Sequence, residues 1–292
     1  MNWRVVAVGL SVCVVPLSAM QKNDSPIRLE AEDVPRIVNG TLNQRALKGS
    51  LASTIAEIAH SAADAPVWAG YAIPAVRSSS DSGCSTQEYR LEDRGDRYVN
   101  ANDNSAARPA LDLFILVRFE RGQTTRLRFL SSGCIIDATG TSVQWLTGVP
   151  PADSVAYLRS LASNNPRSVS SGAIAAISLH ADPAADRALI SMAHDDPFPS
   201  VRSDALFWMA QKAGSKMAAE IAGSIENDPD TQVKKRAVFA LAQISNGDGI
   251  PKLIEVARTN RNPVVRREAV FWLGQSKDKR ALDFIEEVLT RQ

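Results

Sequence analysis

Residues 228–245 have the sequence DPDTQVKKRAVFALAQIS, and residues 260–277, which lie 32 positions later, have the sequence NRNPVVRREAVFWLGQSK. Valine, alanine, phenylalanine, leucine and glutamine occupy matching places in the two segments. Self-similarity at a fixed period of a few tens of residues is the signature of a repeat architecture. This pair of segments therefore predicts a repeat protein over the C-terminal half of the chain.

The same 32-residue offset continues upstream without a gap. The apolar columns are Val169, Val201, Val233 and Val265, then Ala173, Ala205, Ala237 and Ala269, and in a second helix Leu189, Ile221, Leu253 and Ile285. Neither helix of a unit can bury its apolar stripe alone, so consecutive units must stack. We predict an all-α solenoid over residues 150–292, with a leading half-repeat at 150–165 followed by four repeats of 32 residues.

Two of the repeat boundaries carry helix-start signals. Asp230-Thr231 and Asn262-Pro263 each place a side-chain acceptor at the N-cap, followed by a residue suited to the first helical position. We expect a helix to begin directly after each acceptor.

These units resemble HEAT repeats of the type named after phycobilisome lyases. The residues that carry the resemblance are Asp228-Pro229-Asp230, Val233-Lys234 and Ala240-Leu241 in one unit, and Val265-Arg266, Ala269 and Trp272-Leu273-Gly274 in the next. The resemblance covers residues 164–292 and implies HEAT-like helix pairs. Most members of that broad family serve as scaffolds or partner-binding modules, so the resemblance implies binding rather than chemistry.

The family also includes chromophore lyases and an iron-dependent hydroxylase. The hydroxylase type would need His-Glu pairs on successive repeats, whereas His180 and His194 are followed by Ala181 and Asp195. No motif points to a tetrapyrrole pocket. We therefore expect no metal site, no cofactor and no catalytic residue.

The first 19 residues are typical of a secretory signal peptide. Arg4 supplies the positive charge, and Val5–Val15 forms a short apolar run. Leu17-Ser18-Ala19 offers a small-residue cleavage site. The run is too short to span a bilayer, and no later apolar segment is long enough. We expect an exported, periplasmic or extracellular protein, with retention of the segment as an uncleaved anchor as the alternative.

Residues 20–40 are polar and show no period, so we expect an extended lead-in. Residues 41–149 predict a small α+β domain that begins with an amphipathic helix over Leu42–Ala62. Its strands are predicted at 67–76, 111–119, 124–130, 134–136 and 143–146, with a hairpin turn at 120–123.

Two further features of this domain are predicted. In the second hairpin strand Leu127 and Phe129 alternate with arginines 126 and 128, which indicates one buried and one solvent-facing side. Residues 78–107 are rich in Ser, Asp, Asn and Gly and predict a long polar loop.

Three short motifs in the α+β domain carry a second resemblance. VWAGY at 67–71, CIIDATG at 134–140 and VQWL at 143–146 are similar to the domain that precedes such repeats in exported bacterial proteins of unknown role. No activity comes with that resemblance.

Removal of the signal peptide would leave two of the three cysteines, Cys84 and Cys134. In an oxidising compartment a disulfide is the default for such a pair, and it would tie the polar loop to the sheet. A metal site is less favoured, because no histidine stands at ligand spacing from either cysteine. A nucleophilic cysteine paired with His60 is the remaining alternative.

The chain has 33 Lys+Arg and 32 Asp+Glu, for a net charge of +1. This balance argues against nucleic-acid or anionic-membrane binding, although a local basic patch is compatible with it. Arg202, Lys234 and Arg266 form one basic column, and Asp196 and Asp228 stand six residues before the first two. We expect a structural charge ladder, with a phosphate-binding edge as the alternative.

Three phenylalanines also recur at the repeat period. On a helical wheel Phe207 lies opposite the core direction set by Val201 and Ala205, and the period places Phe239 and Phe271 in the same column. An exposed apolar stripe of this kind marks an interaction site. The alternative is that the rings wedge between adjacent repeats.

Together these patterns favour a non-enzymatic interaction protein whose partner is another protein. The chain shows no Gly-rich phosphate loop, nucleophile elbow or Ser/His/Asp arrangement, which argues against the commonest hydrolases. A cell-envelope enzyme with its site in the α+β domain, and the solenoid as recruiting surface, is the alternative. Neither the partner nor the oligomeric state follows from the sequence.

Overall fold

The computed structural model describes residues 34–63, 65–76, 88–93, 112–132 and 134–290. Within these residues, two sheets and one helix occupy the N-terminal part, and a run of helices follows. This order confirms the predicted fold class, an α+β domain followed by an all-α solenoid. The predicted signal peptide at 1–19 lies outside the described residues.

The α+β domain contains eight described strands and one helix. They are β1 (Arg36–Val38), β2 (Thr41–Ala46), α1 (Leu51–Ser61), β3 (Val67–Pro74), β4 (Glu88–Arg90), β5 (Asp112–Glu120), β6 (Gln123–Ser131), β7 (Ile135–Asp137) and β8 (Ser142–Thr147). The larger sheet has the order β2-β8-β3-β5-β6, and the smaller has the order β1-β7-β4. The predicted hairpin is β5 and β6, with Glu120 opposite Gln123.

Both faces of the larger sheet are buried. Tyr71 and Ile115 belong to a core shared with α1 and the solenoid, whereas Trp68, Phe114 and Trp145 belong to a second core with the smaller sheet. The prediction of a solvent-facing side for β6 is therefore wrong at arginine 128, which is only 7% exposed. Its Nη2 donates to the carbonyl of residue 93 at 2.9 Å, because residues 88–93 cross this side of the sheet.

The helix predicted over 42–62 is wrong in its first part. Residues 41–46 form β2, which pairs in parallel with β8 about 100 residues later in the chain. Helix α1 begins only at Leu51, where the Oγ of Ser50 accepts from the backbone N–H of Ser53 at 3.1 Å. A pairing partner so distant leaves no trace in a local periodicity, which explains the error.

Two segments expected to be irregular contribute strands. The lead-in at 20–40 contains β1, and the polar loop at 78–107 contains β4. Each pairs in parallel with β7. The remaining residues of the polar loop, and residues 20–33 of the lead-in, lie outside the described part of the chain.

Nine helices form the described solenoid. They are α2 (Pro151–Asn164), α3 (Arg167–Leu179), α4 (Pro183–Asp195), α5 (Pro199–Ala213), α6 (Ala218–Asn227), α7 (Thr231–Ala242), α8 (Ile250–Thr259), α9 (Pro263–Gln275) and α10 (Lys279–Thr290). Helix α2 stands where the half-repeat was predicted, and four helix pairs follow it. Asp230 and Asn262 cap α7 and α9 by accepting from the N–H groups of Gln232 and Val264.

The sheet and the first repeat share one core. The N–H of Val76, just after β3, donates to the carbonyl of Leu179 at 2.9 Å. The N–H of Ala181 donates to the carbonyl of Pro74 at 3.1 Å. Helix α3 also contacts β6, and the apolar side chains of the sheet continue into those of the helices. The solenoid is thus anchored on the sheet at its first repeat.

Candidate functional site

The three phenylalanines of the repeat column form part of an aromatic ladder along the stacked helices α5, α7 and α9. The ladder consists of Phe207, Trp208, Phe239, Phe271 and Trp272. The rings of Phe207 and Phe239 are stacked, with centroids 6.1 Å apart and planes 6° apart. Phe239 then contacts Trp272 at 4.8 Å, and Trp272 contacts Phe271 at 5.1 Å. The rings therefore form a continuous chain across three repeats.

The exposure of this column differs from the expected open stripe. Phe271 is 54% exposed, whereas Phe207 and Phe239 are half-buried. Each of the latter two packs against the repeat that follows it, because the first helices of neighbouring repeats stack closely. The expectation of three exposed rings is therefore wrong for two of them, and the wedge alternative describes those two better.

This difference in packing gives a prediction for single substitutions. Changing Phe239 to serine should lower the free energy of unfolding by about 2 kcal/mol, because it removes ring contacts with both neighbouring repeats. The matched change of Phe271 to serine should cost less than about 0.5 kcal/mol, as is usual for exposed positions. Urea unfolding followed by circular dichroism measures both. Equal losses in the two variants would contradict the described packing.

A guanidinium lies over the aromatic ladder. The Cζ of Arg236 is 5.0 Å from the ring centre of Phe207 and 4.7 Å from that of Phe239. Such cation–π contacts stabilise a cation when it is partly shielded from water. Burial lowers the pKa of Arg236, although the group stays charged because its ordinary pKa is far above neutrality. Among the described residues, none forms a hydrogen bond or ion pair with this side chain.

The acids beside the ladder are already engaged. Asp204 accepts from Arg167 Nη2 at 3.1 Å and from the hydroxyl of Ser171 at 2.7 Å. Glu268 accepts from Lys235 Nζ at 3.1 Å and from the indole N–H of Trp272 at 3.0 Å. The charge of Asp204 acts to raise the pKa of Arg236, but neither described carboxylate forms an ion pair or hydrogen bond with it.

Three glutamines complete the surface. Gln211, Gln243 and Gln275 each follow a phenylalanine of the column by four residues, so each lies on the same side as its ring, with Gln243 directly after the end of α7. Within the described part of the chain, no side-chain hydrogen bond is found for these amides. We refer to the aromatic ladder, Arg236 and the three glutamines as the aromatic face. Arg236 was not among the predicted site residues, since the 32-residue offset places it in the column of Asp204 and Glu268, which is not uniformly basic.

The basic column has a different geometry from the one expected. Arg202 was expected to pair with Asp196, but its Nη1 donates to the main-chain carbonyl of Asp196 at 2.8 Å. Its Nε and Nη2 donate to the carboxylate of Asp228 in the next repeat, at 2.7 and 3.1 Å. Lys234 and Arg266 likewise donate to main-chain carbonyls, at 2.6 and 2.8 Å.

The physical reason lies in the interhelix turns. The side chains of Asp196 and Asp228 each accept a main-chain N–H two residues later, at 2.9 and 2.8 Å, so they are partly used by their own turns. The hydrogen bonds that Arg202 donates to Asp228 raise the pKa of Arg202. Because this guanidinium is buried and its Nε, Nη1 and Nη2 all donate within the chain, it does not present a donor fork to a phosphate.

A serine–histidine pair lies at the junction between the sheet and the solenoid. The hydroxyl of Ser154 is 2.8 Å from Nε2 of His180 and 2.9 Å from the hydroxyl of Tyr71. Nδ1 of His180 lies 2.8 Å from the carbonyl of Ala176, which can only accept, so Nδ1 carries the proton and Nε2 accepts. Burial lowers the pKa of His180 to about 4.

The same pairing of groups activates serine nucleophiles in hydrolases. Here, however, Tyr71, Ser154 and His180 are all 0% exposed, so a substrate would have no access to the hydroxyl. Burial also raises the pKa of Tyr71, which keeps the phenol neutral. The cluster therefore serves to fix the first repeat on the sheet. This cluster was not predicted, because Ser154 lies 26 residues from His180 and 83 residues from Tyr71 in the chain.

Only one of the two cysteines of the predicted disulfide belongs to the described residues. Cys134 is buried in the second core, while Cys84 lies outside the described residues. His60 ends α1 on the other side of the larger sheet, so the structure does not bring it to Cys134. The Cys84–Cys134 disulfide stays a prediction. Thiol titration of the denatured, unreduced protein from the exported fraction should find no reactive thiol; two thiols would refute the bridge.

One family model matches the C-terminal part of the repeats. Residues 220–292 match HEAT repeats. The helices within this range are therefore similar to HEAT repeats, as the sequence indicated. No curated protein shows significant similarity to the chain.

One solved structure with a partial match is that of human deoxyhypusine hydroxylase in complex with glycerol. It shares 19% sequence identity and has a TM-score of 0.34, and the match covers 46% of this chain and 43% of that one. The chain therefore spans less than half of that protein, and the likeness carries no argument about activity. Among the described residues, no cluster of three or more His, Cys, Asp or Glu side chains is arranged to hold a metal ion. None of the described helices has the length and apolar content needed to cross a bilayer.

Proposed function

We propose that this protein is an exported scaffold that binds another protein on the aromatic face and has no catalysis of its own. HEAT repeats commonly mediate protein interactions, which supports the binding role. The observation that carries the proposal is the aromatic face itself. It joins partly exposed rings, a cation that forms no hydrogen bond or ion pair among the described residues, and amides with unused donors and acceptors.

Capture experiments with matched variants test the binding role. The tagged full chain is compared with a triple variant, Phe207→Ser, Phe239→Ser and Phe271→Ser, in its native host. We expect a partner that copurifies with the original protein and is lost from the triple variant. Because Phe239→Ser lowers stability, the single variant Phe271→Ser serves as the folded control, and it should weaken capture at full helical content. Unchanged capture by both variants would refute the proposal.

Export is proposed from the N-terminal segment and has its own test. Mass spectrometry of the mature protein should find Met20 as the first residue, because the small-residue motif ends at Ala19. Fractionation should place the protein outside the cytoplasm. A cytoplasmic chain that retains residues 1–19 would contradict export without touching the binding role.

A further inference from the structure

We infer that the aromatic face binds an extended segment of its partner, and that an acidic side chain of this segment pairs with Arg236. The inference rests on the proposed binding function and specifies the chemistry of the partner. It follows from the position of Arg236, the local charge balance and the spacing of the three glutamines.

Arg236 has the properties of an anion-binding residue. Its guanidinium is half-buried over two phenylalanine rings, and the charge of Asp204 acts on it without a hydrogen bond or ion pair between them. The rings hold the group in place, so less side-chain freedom is lost when a ligand binds. The planar fork of donors matches a carboxylate in a two-point contact. An aspartate or glutamate of the partner is the protein group that fits it.

The charges around the ladder favour the same ligand. By their helical positions, four bases, namely Arg167, Lys235, Arg236 and Arg267, belong to this side of the first helices together with two acids, Asp204 and Glu268. Both acids are held by bases and hydrogen bonds of the chain itself. The surplus of two positive charges attracts an acidic segment and disfavours a basic one.

The glutamine spacing fits an extended chain. Packed helices lie about 8–10 Å apart, so amides that recur on successive first helices are about 10 Å apart. An extended chain advances about 3.3 Å per residue, so three residues span one step and about six span all three glutamines. Each amide supplies both a donor and an acceptor, as does each peptide group of the ligand. A helix would not match, since it satisfies its own main-chain groups.

The exposed ring supplies an apolar contact beside the charge. Phe271 is 54% exposed and touches Trp272, whose indole N–H is already used by Glu268. An apolar side chain of the partner would cover the rings of Phe271 and Trp272. This contact would lie about two repeats along from Phe207. The expected ligand therefore combines an acidic residue with a large apolar residue in one extended segment.

A phage-displayed library of random twelve-residue peptides tests this inference. The immobilised full chain is used for selection, and enriched peptides should contain aspartate or glutamate together with a large apolar residue. One enriched peptide is then synthesised with a fluorescent label, and a second copy has its acid replaced by the matching amide. Fluorescence anisotropy should show binding about 10- to 100-fold weaker for the amide peptide, as expected for the loss of a charge-assisted hydrogen-bond pair.

Two protein variants locate the contact. Arg236→Gln should reduce affinity for the acidic peptide by a similar factor and should remove the preference for acid over amide. Arg159→Gln is the matched control, since Arg159 is an exposed arginine on α2 that bonds Ser191 and lies away from the aromatic face. It should leave the affinity unchanged. Circular dichroism of both variants confirms that they are folded.

The outcomes separate this inference from the proposed function. Enriched peptides that lack acids, but that lose binding with Phe271→Ser, would overturn the role of Arg236 and leave the aromatic face as a binding surface. Acidic peptides that bind Arg236→Gln with the same affinity as the original protein would also overturn the role of Arg236 and leave the aromatic face as a binding surface. If no enriched peptide depends on the aromatic face at all, both the inference and the proposed function fail.

Discussion

Replacing Asp228 by alanine is expected to lower the free energy of unfolding by about 3–5 kcal/mol, the cost of leaving a buried charge without its partner. The carboxylate is buried and accepts two hydrogen bonds from Arg202 of the preceding repeat. It also accepts the N–H of Asp230 in its own turn. Loss of one side chain therefore disrupts both a turn and the contact between two repeats. Urea unfolding followed by circular dichroism measures the change.

Two controls give this prediction its specificity. Asp283→Ala removes an ion pair with Lys279 on the exposed side of α10, and it should cost less than about 1 kcal/mol. The double variant Arg202→Met with Asp228→Asn removes both charges and keeps an acceptor for the turn. It should be more stable than the Asp228→Ala protein. A loss of the same size for Asp228→Ala and Asp283→Ala would show that the pair is not a buried contact between repeats.

Stability is also expected to fall as the pH drops from about 6.5 to about 4, through the single side chain of His180. Burial lowers the pKa of this imidazole from 6.5 in the unfolded chain to about 4 in the folded one. The folded protein therefore holds it neutral while the unfolded chain takes up a proton. The stabilisation is complete above pH 6.5 and is lost as the pH approaches 4, by about 3 kcal/mol in total.

The variant His180→Gln isolates this effect from the carboxylates, which titrate in the same range. Glutamine does not titrate, so the variant should be less stable at pH 7, and its stability should depend less steeply on pH between 6.5 and 4. The quantity to measure is the difference between the two proteins in free energy of unfolding, as a function of pH. Parallel plots of this free energy against pH across this range would contradict a neutral, buried His180.

The parts of the fold that were predictable from sequence are those set by short-range pattern. The 32-residue columns and the caps at Asp230 and Asn262 place the repeat helices, because each helix contacts mainly its sequence neighbours. Strand β2 was mistaken for helix, since its partner β8 lies about 100 residues away. Strands β1 and β4 were missed for a similar reason, as each is only three residues long and pairs with a distant strand.

The phenylalanine column of the candidate site was predictable from the sequence, whereas Arg236 and the geometry of the site were not. The repeat period gives the phenylalanine column directly, whereas the partial burial of Phe207 and Phe239 depends on how closely α5, α7 and α9 stack. The position of Arg236 over two rings is likewise a product of that stacking. The contact between Ser154 and His180 arises only when the sheet meets the first repeat.

Site-specific photo-crosslinking tests the aromatic face as the binding surface most directly. A photoreactive phenylalanine analogue replaces Phe271, which is 54% exposed on the face, or Phe198, which is 50% exposed in the turn before α5. After irradiation in the native host, an immunoblot against the tagged chain should show a covalent adduct with another protein for position 271 and none for position 198. Adducts of equal yield at both positions, or an adduct at 198 alone, would contradict the account.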